Sequence, residues 1–322
     1  MFRMAKQWRA ALRFSILAGG LSLSAAAMAS SVELVLPIAP GGAMDVAGRS
    51  VALELSKRLE EPVIPLNKPG AGTILGTRYV AENGSSDGRT LLLGGIGMTT
   101  TQFGQQGPQY DPKQLAPVMY MGWQVTVLYI RGDIPVNTFA EFIAWAKKLD
   151  RPVTFASSGI GSSPHLGAEQ LASLTGIQIL HIPMTGSNAS VPALLGGHVD
   201  AVFDAPSTRD LVRTGKLKAL MVGSASPLPD WPELPTSEAV GLKGFKSGTW
   251  YGFFVPAKTP AAAIVKMNAD LNAVLKTASV QDRFRQVGIE IGGGSPQEFA
   301  QILNSEYDRV GTIIKTRNIV IN

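Results

Sequence analysis

The 322-residue chain contains no cysteine. That excludes disulfides, thiolate metal sites and a lipid-modified cysteine near the N-terminus. Histidine is scarce. His165, His181 and His198 lie on separate elements, and no H-E-x-x-H segment or His/Asp cluster has metal-ligand spacing, so no metal or other cofactor is expected. Charged residues make up 16% of the chain and apolar ones 45%, which suits a buried core and argues against disorder. The chain also lacks a G-x-x-x-x-G-K-[ST] phosphate loop and a G-x-S-x-G nucleophile elbow. Beyond the N-terminal region no apolar run reaches the roughly 20 residues that span a bilayer, so a soluble mature chain is expected.

What is present begins with an export signal. Arg3, Lys6, Arg9 and Arg13 precede a short apolar run over residues 14–23, and Ala27-Met28-Ala29 supplies small residues at the positions a signal peptidase reads. Residues 1–29 therefore read as a signal peptide cut near Ala29-Ser30. Its removal takes four of the 29 basic residues, leaving 25 against 24 acidic ones. The mature chain is close to neutral, which gives no case for nucleic acid or anionic membrane as a partner. Export without cysteine fits a bacterial periplasm.

Strand and helix patterns then alternate. Residues 32–37, 63–66 and 91–93 read as strands, with helical spacing over 44–59 and 75–82 between them. This β-α-β-α-β series implies a parallel sheet covered on both faces. A second series follows. Thr138-x-x-Glu141 opens a helix with a capping box. Strands are predicted at 153–156, 178–181, 199–203 and 217–222. Ser163-Pro164 is read as an N-cap followed by proline at the first helical position. Apolar stretches at 125–130 and 250–255 flank the second unit, and helices are predicted at 260–276 and 296–316. If the last helices pack on the first unit, the chain crosses between units twice and a hinged cleft results.

Three turns share one design of strand, small residues and helix start: Ala39-Pro40-Gly41-Gly42, Pro69-Gly70-Ala71-Gly72-Thr73 and residues 157–163. In open α/β sheets ligands sit beyond the carboxyl ends of the strands. Glycine lets a ligand approach the backbone, and the first amides of each helix lack partners and favour an anion. Hydroxyls of Thr73, Ser158, Ser162 and Ser163 add donors, with Gly161 between them. Asp45 and Asp204 could face each other across the cleft, where a carboxylate pair can do acid–base work. Asp45 either steadies its helix or touches a ligand, and Asp204, at a strand end, either contacts a ligand or does not. His165 sits in a helix first turn with no acid locally placed to orient it; His181 and His198 read as structural. Phe103, Trp123 and Trp250 belong either to the core or to the cleft.

Several segments then fall in a familiar order. They are Pro40-Gly41-Gly42-x-x-Asp45, Asn67-x-Pro69-Gly70-Ala71-Gly72, Asp87-Gly88-x-Thr90-Leu91-Leu92, and Gly159-x-Gly161-Ser162 with His165-Leu166. Leu194-Leu195-Gly196-Gly197-His198-Val199-Asp200, Gly215-Lys216-Leu217-Lys218, Leu234-Pro235-Thr236, Trp250-x-Gly252-x-x-x-Pro256 and Asn268 complete the series. Together they resemble the Bug family, the TctC-like solute-binding proteins of tripartite tricarboxylate transporters. The resemblance implies a two-lobe periplasmic binding protein of the type II fold, two α/β lobes joined by two crossover hinge strands. Lobe 1 would comprise residues 30–124 and 253–322, lobe 2 residues 125–252, with crossings near 124–131 and 248–255. It implies a non-enzymatic protein that captures a small carboxylate and works with inner-membrane transporter subunits; a monomer is expected because binding and release need free hinge motion. A partner of a membrane sensor, or an exported enzyme acting on a small acid, are the alternatives. By the same resemblance Ala39, Gly41, Gly42, Ala71, Gly72 and Thr73 hold one carboxylate through amides and ordered water. The 157–163 loop and Thr185-Gly186 grip the other end. Met184-Thr185-Gly186 stands where family members often have Tyr-Lys-Gly, and Thr73-Ile74 replaces a small or polar pair. A ligand with one carboxylate and a less polar tail is therefore expected.

Overall fold

The computed structural model describes residues 31–321 apart from 106 and 108. The leader assigned to residues 1–29, with its cleavage point, lies outside the described residues. The first unit runs β1 Val32–Leu36, α1 Ala43–Leu59, β2 Val63–Asn67, α2 Ile74–Asn83, β3 Thr90–Gly95, a short α3 Ile96–Thr100 and a long β4 Leu115–Val125. The second runs β5 Val127–Arg131, α4 Phe139–Lys148, β6 Val153–Ser157, α5 Ser163–Thr175, β7 Ile179–Pro183, α6 Ser187–Leu195, β8 Ala201–Asp204, α7 Arg209–Arg213 and β9 Leu217–Val222. The chain closes with β10 Gly248–Pro256, α8 Ala261–Val274, α9 Ala278–Gln286, β11 Ile289–Ile291 and α10 Pro296–Thr316.

Two sheets result, ordered β11-β4-β10-β3-β1-β2 and β7-β6-β8-β5-β9. The expected parallel pairing holds for β1 with β2 and β3, and for β6 with β7 and β8. The remaining strands are antiparallel to their neighbours: β10 to both β3 and β4, β11 to β4, and β5 to both β8 and β9. Each sheet is therefore mixed rather than parallel.

Side chains alternate across the first sheet, as the two-residue period of a strand requires. Leu34, Leu36, Leu91, Leu93 and Phe253 pack with α1, α8 and α9 through Val51, Leu55, Leu271 and Phe284. Val35, Leu92 and Phe254 face the other way, toward Val80 of α2 and Phe299 of α10. Trp123 and Trp250 are core residues of that second layer. Each fully enclosed Leu or Phe contributes roughly 1.5–3 kcal/mol. In the second sheet Phe155, Phe203 and Leu128 pack with Phe142 of α4 and Leu171 of α5.

The chain leaves the first sheet at Val125 and joins the second at Val127. It returns between Val222 and Gly248. The two crossings are bonded to each other. Thr126 N donates to Ser247 O at 3.1 Å, Gly223 N to Thr126 O at 2.8 Å and Ser247 N to Gly223 O at 2.9 Å. The hydroxyls of Thr126 and Ser247 lie 2.7 Å apart.

The Thr138/Glu141 capping box is formed, and α10 opens with another at Ser295 and Glu298. One cap differs from expectation. Ser162, not Ser163, is the N-cap of α5, because Pro164 sits one place later in the first turn, and the Ser162 hydroxyl donates to Gly159 O at 2.6 Å instead of capping the helix.

Candidate ligand-binding site

Parallel pairing places the carboxyl ends of β1, β2 and β3 on one edge of the first sheet. Those of β6, β7 and β8 share one edge of the second. The two edges face each other: a Cβ built on Gly161, after β6, would lie 3.3 Å from Thr100 Cβ at the end of α3. Five helices start on these edges, at Gly42 (α1), Thr73 (α2), Gly95 (α3), Ser162 (α5) and Gly186 (α6). None is capped by its own N-cap side chain, and Ile96 N of α3 donates to Thr249 Oγ1 at 3.2 Å, which leaves the other four uncapped. Both complete capping boxes belong to helices starting at the opposite poles. The uncapped first-turn amides at the cleft are donors without intrahelical partners.

Ala39 and Gly41 are exposed and Gly42 is half-buried. A Cβ on Gly41 or Gly42 would meet nothing within 4 Å, so this turn borders open space. Asp45 holds it from behind. Its carboxylate accepts from Gly41 N at 3.0 Å, from Arg49 Nε at 3.0 Å and from Asn67 Nδ2 at 2.9 Å. Asn67 Nδ2 also donates to Ile38 O at 3.1 Å. Burial works to raise the Asp45 carboxyl, but the bonds from Arg49, Asn67 and Gly41 outweigh it and hold the group below its usual range. Asp45 is thus a fully engaged brace between loop, helix and β2.

The second turn has four successive residues in the left-handed region: Gly70, Ala71, Gly72 and Thr73, with φ of 138°, 46°, 62° and 88°. Two are not glycine, a conformation costing of order 1–3 kcal/mol each and found where surroundings enforce it. The turn packs on α3, where a Cβ on Gly97 would lie 2.6 Å from Gly72 O and 2.8 Å from Thr73 Oγ1. Thr73 Oγ1 is buried without a hydrogen-bond partner, so this hydroxyl, expected as a ligand donor, lies instead against α3.

The turn after β6 is held by side chains. Ser157 Oγ donates to Gly159 O at 3.0 Å and lies 2.6 Å from His181 Nε2. Gly161 N donates to His165 Nδ1 at 3.1 Å. The His165 and His181 rings stack at 3.6 Å with a 10° interplanar angle. His165 Nε2 is 3.7 Å from Glu169 Oε1. Contrary to the expectation that no acid lies near His165, Glu169 sits four residues on, one turn along the same helix face; the stacked histidine pair itself has no local sequence signal. Burial first, and then the neighbouring His165, push His181 down to about 4, so it is neutral near pH 7. Ser158, Ser162 and Ser163 are half-buried on this edge, and Thr185 is exposed.

Asp204 ends β8. It accepts from Thr208 Oγ1 at 2.5 Å, and burial raises its carboxyl, opposed by the Thr208 hydroxyl and the Ala205 amide. The structure does not bring Asp45 and Asp204 together as an acid–base pair. Among the described residues each is bonded within its own unit. Phe103 stacks on Tyr307 of α10 at 4.7 Å and packs against an apolar cluster that includes Ile96 of the first unit and Leu166 of the second. Among the described residues no group of three or more His, Asp or Glu could hold a metal ion. Two surface depressions, of about 550 and 470 Å³, lie at the poles around Arg131, Gly196 and Lys216 and around Gly293 and Ile302, away from the five helix starts.

The family model for the tripartite tricarboxylate transporter family receptor matches residues 47–319. The chain belongs to that receptor family. Three solved structures show the same two-lobe periplasmic binding protein fold. The periplasmic binding protein BugD is 31% identical with a TM-score of 0.79, covering 90% of this chain and 98% of its own. Rpa4515 of R. palustris with adipate is 29% identical with a TM-score of 0.82, covering 90% and 98%. MatC of Rhodopseudomonas palustris with bound malate is 28% identical with a TM-score of 0.77, covering 88% and 98%. The receptor described here shares with them two facing lobes, and among its described residues no helix is long and apolar enough to cross a membrane.

Proposed function

We propose that this receptor is exported to the periplasm, binds one small organic carboxylate between its lobes, and delivers it to the inner-membrane subunits of a tripartite tricarboxylate transporter. It acts as a monomer and performs no chemistry on the ligand. The lobes are residues 30–124 with 248–322 and residues 125–247, the boundary expected at 252 moving back because all of β10, Gly248–Pro256, pairs in the first sheet, and they pivot at the bonded crossings of Thr126, Gly223 and Ser247. One observation carries the reading: four uncapped helix starts, those of α1, α2, α5 and α6, on two facing sheet edges, two of them with glycine at the cap. Such an arrangement suits an anion held by amides. The relatives that carry adipate and malate support a carboxylate as that anion.

In lobe 1 the amides around Ala39, Gly41, Gly42, Ala71 and Gly72 receive the carboxylate, while Asp45 shapes the loop and does not contact the ligand. In lobe 2, Ser158, Gly161, Ser162, Ser163 and Thr185 meet the other end, with Asp204 beside the hinge. No lysine or arginine occurs within residues 38–45, 70–76, 157–165, 183–189 or 204–208. This favours one carboxylate with a less polar tail over a ligand with two charged ends. The test is a thermal-shift screen of mono-, di- and tricarboxylates including adipate and malate. Ligand at about 100 times Kd stabilises by roughly 2.7 kcal/mol, a clear rise in Tm. A flat response across the whole panel overturns the reading.

A further inference from the structure

The C-terminal segment after α10 is not among the loops that family resemblance or strand topology marks as ligand-binding. Its contacts place it there. The helix α10 starts at the pole of the first unit and runs toward the cleft. Its last turns, through Val310, Ile313 and Ile314, form one apolar cluster with Ile96 at the start of α3 and with Leu166 of α5 in the second unit. Ile321 belongs to the same cluster and is buried. Its carbonyl accepts from Gln105 N of the first unit at 3.0 Å. Its side chain covers the ligand loop of the second unit, since a Cβ on Gly161 would lie 3.0 Å from Ile321 Cδ1. Arg317 Nε donates to Glu169 Oε2 of α5 at 2.7 Å, a second tie between the units.

These ties lead to the loop itself. Glu169 faces His165 Nε2, and His165 Nδ1 accepts from the Gly161 amide. His165 in turn stacks on His181, whose Nε2 meets Ser157 at the other end of the same loop. An unprotonated Nδ1 is required to accept that amide, which leaves the Nε2–H directed at Glu169. Burial would raise the Glu169 carboxyl, but the facing His165 ring and the bond from Arg317 outweigh it and hold it below its usual range. The segment therefore grips both units outside the hinge and ends on the loop proposed to meet the ligand.

We infer that residues 317–321 form a latch that holds the two lobes together across the cleft and positions the 157–163 loop, so that this segment sets how readily the site opens. The inference rests on the two-lobe ligand-binding reading above. Its test does not need the ligand. The chain has no cysteine, so Leu53→Cys on α1 and Ala144→Cys on α4, both exposed, accept spin labels at two defined points. Pulsed electron resonance then reads the distance between the lobes in the full chain, in a chain ending at Thr316, and in Ile321→Ala, which keeps the backbone. Longer, broader distances in both altered chains, with unchanged helix content, support the latch. Unchanged distances overturn it, whatever the affinities do. In the same variants Kd for adipate and malate should rise on the order of tenfold, the usual size of coupling between a conformational equilibrium and a ligand. If neither acid binds the full chain, the affinity is read with a monocarboxylate that raises Tm in the panel; a panel that is flat throughout overturns the carboxylate reading, while the distance measurement still decides the latch. Altered distances with unaltered Kd would overturn the link from the latch to the ligand loop.

Discussion

The glycine turn after β2 and the glycine turn after β6 occupy equivalent places and look alike in sequence, yet they are stiffened by opposite means. The lobe 1 turn uses its backbone: four consecutive residues at positive φ, two of them bearing side chains, wedged against α3. The lobe 2 turn uses side chains: Ser157, Ser162, His165 and His181 bond or stack beneath it. A backbone-set loop responds to substitutions that change φ or occupy the open face. A loop that leans on His181 responds to pH between 6.5 and about 4. A wall set by its backbone therefore faces one whose support titrates in that range.

The largest effect should come from filling the lobe 1 face. Gly42 has φ of −78° and nothing within 4 Å of its missing Cβ, so Gly42→Leu fits the fold but occupies the space before the α1 amides. Loss of an acceptable cap costs about 1 kcal/mol of stability. Affinity for the bound acid, measured by calorimetry, should fall by about 100-fold or more, equivalent to roughly 2.7 kcal/mol. Retained affinity would move the site off this wall.

Next is the brace behind that wall. Asp45→Ala strips the acceptor from Gly41 N, Arg49 and Asn67 together. Buried donors left unpaired cost about 1–3 kcal/mol each, and Arg49 is half-exposed and can turn to water, so a loss of about 2–3 kcal/mol in urea unfolding is expected. The sign with pH follows from the lowered carboxyl. Its contribution is complete above the unfolded value near 3.8 and disappears as pH falls through the lower folded value. A neutral Asp45→Ala would show that the loop is held by something else.

How much of this was legible beforehand differs by residue. The parallel strands were readable because all but β8 end in a glycine turn before a helix, and β8 ends at Ala205-Pro206. The antiparallel β4 was not, since residues 115–125 contain Pro117 and Gly122 and run into β5 with only Thr126 between. The short β11 and α9 also escaped, the helix because its apolar positions reduce to Val280 and Phe284. In the site, the glycine turns were visible as chemistry. The roles of Thr73 and His181 were not, because they depend on contacts between elements far apart in sequence. Asp45 with Arg49 and His165 with Glu169, each four residues apart on one helix, did carry a local signal.

The third prediction addresses the titrating wall. His181 has a folded value of about 4 against an ordinary 6.5, because burial and His165 disfavour its charged form. The unfolded chain therefore binds a proton that the folded one refuses between those values. Stability is complete above pH 6.5 and declines as pH falls toward 4, by up to about 1.4 kcal/mol per pH unit. Tm measured from pH 7 to 4 should show this slope, and His181→Gln should flatten it while keeping a partner for Ser157. An unchanged slope in that variant would place the titration on other groups.

The smallest effect sharpens the contrast from the other side. Thr73 is a β-branched residue at φ of 88° with a buried, unpartnered hydroxyl. The left-handed conformation costs roughly 1–2 kcal/mol for a side-chain-bearing residue, and the orphan hydroxyl adds to that. Glycine removes both penalties but frees the unfolded chain and the loop, at about 0.5–1 kcal/mol. Thr73→Gly should therefore stabilise the protein by roughly 0.5–1 kcal/mol in urea unfolding. If the strain is retained because it fixes the amides of Ala71 and Gly72 for an anion, the same variant should bind its acid severalfold more weakly, since a relaxed loop must be ordered on binding. A variant that gains stability and keeps full affinity would show that the strain serves only the packing of this turn on α3.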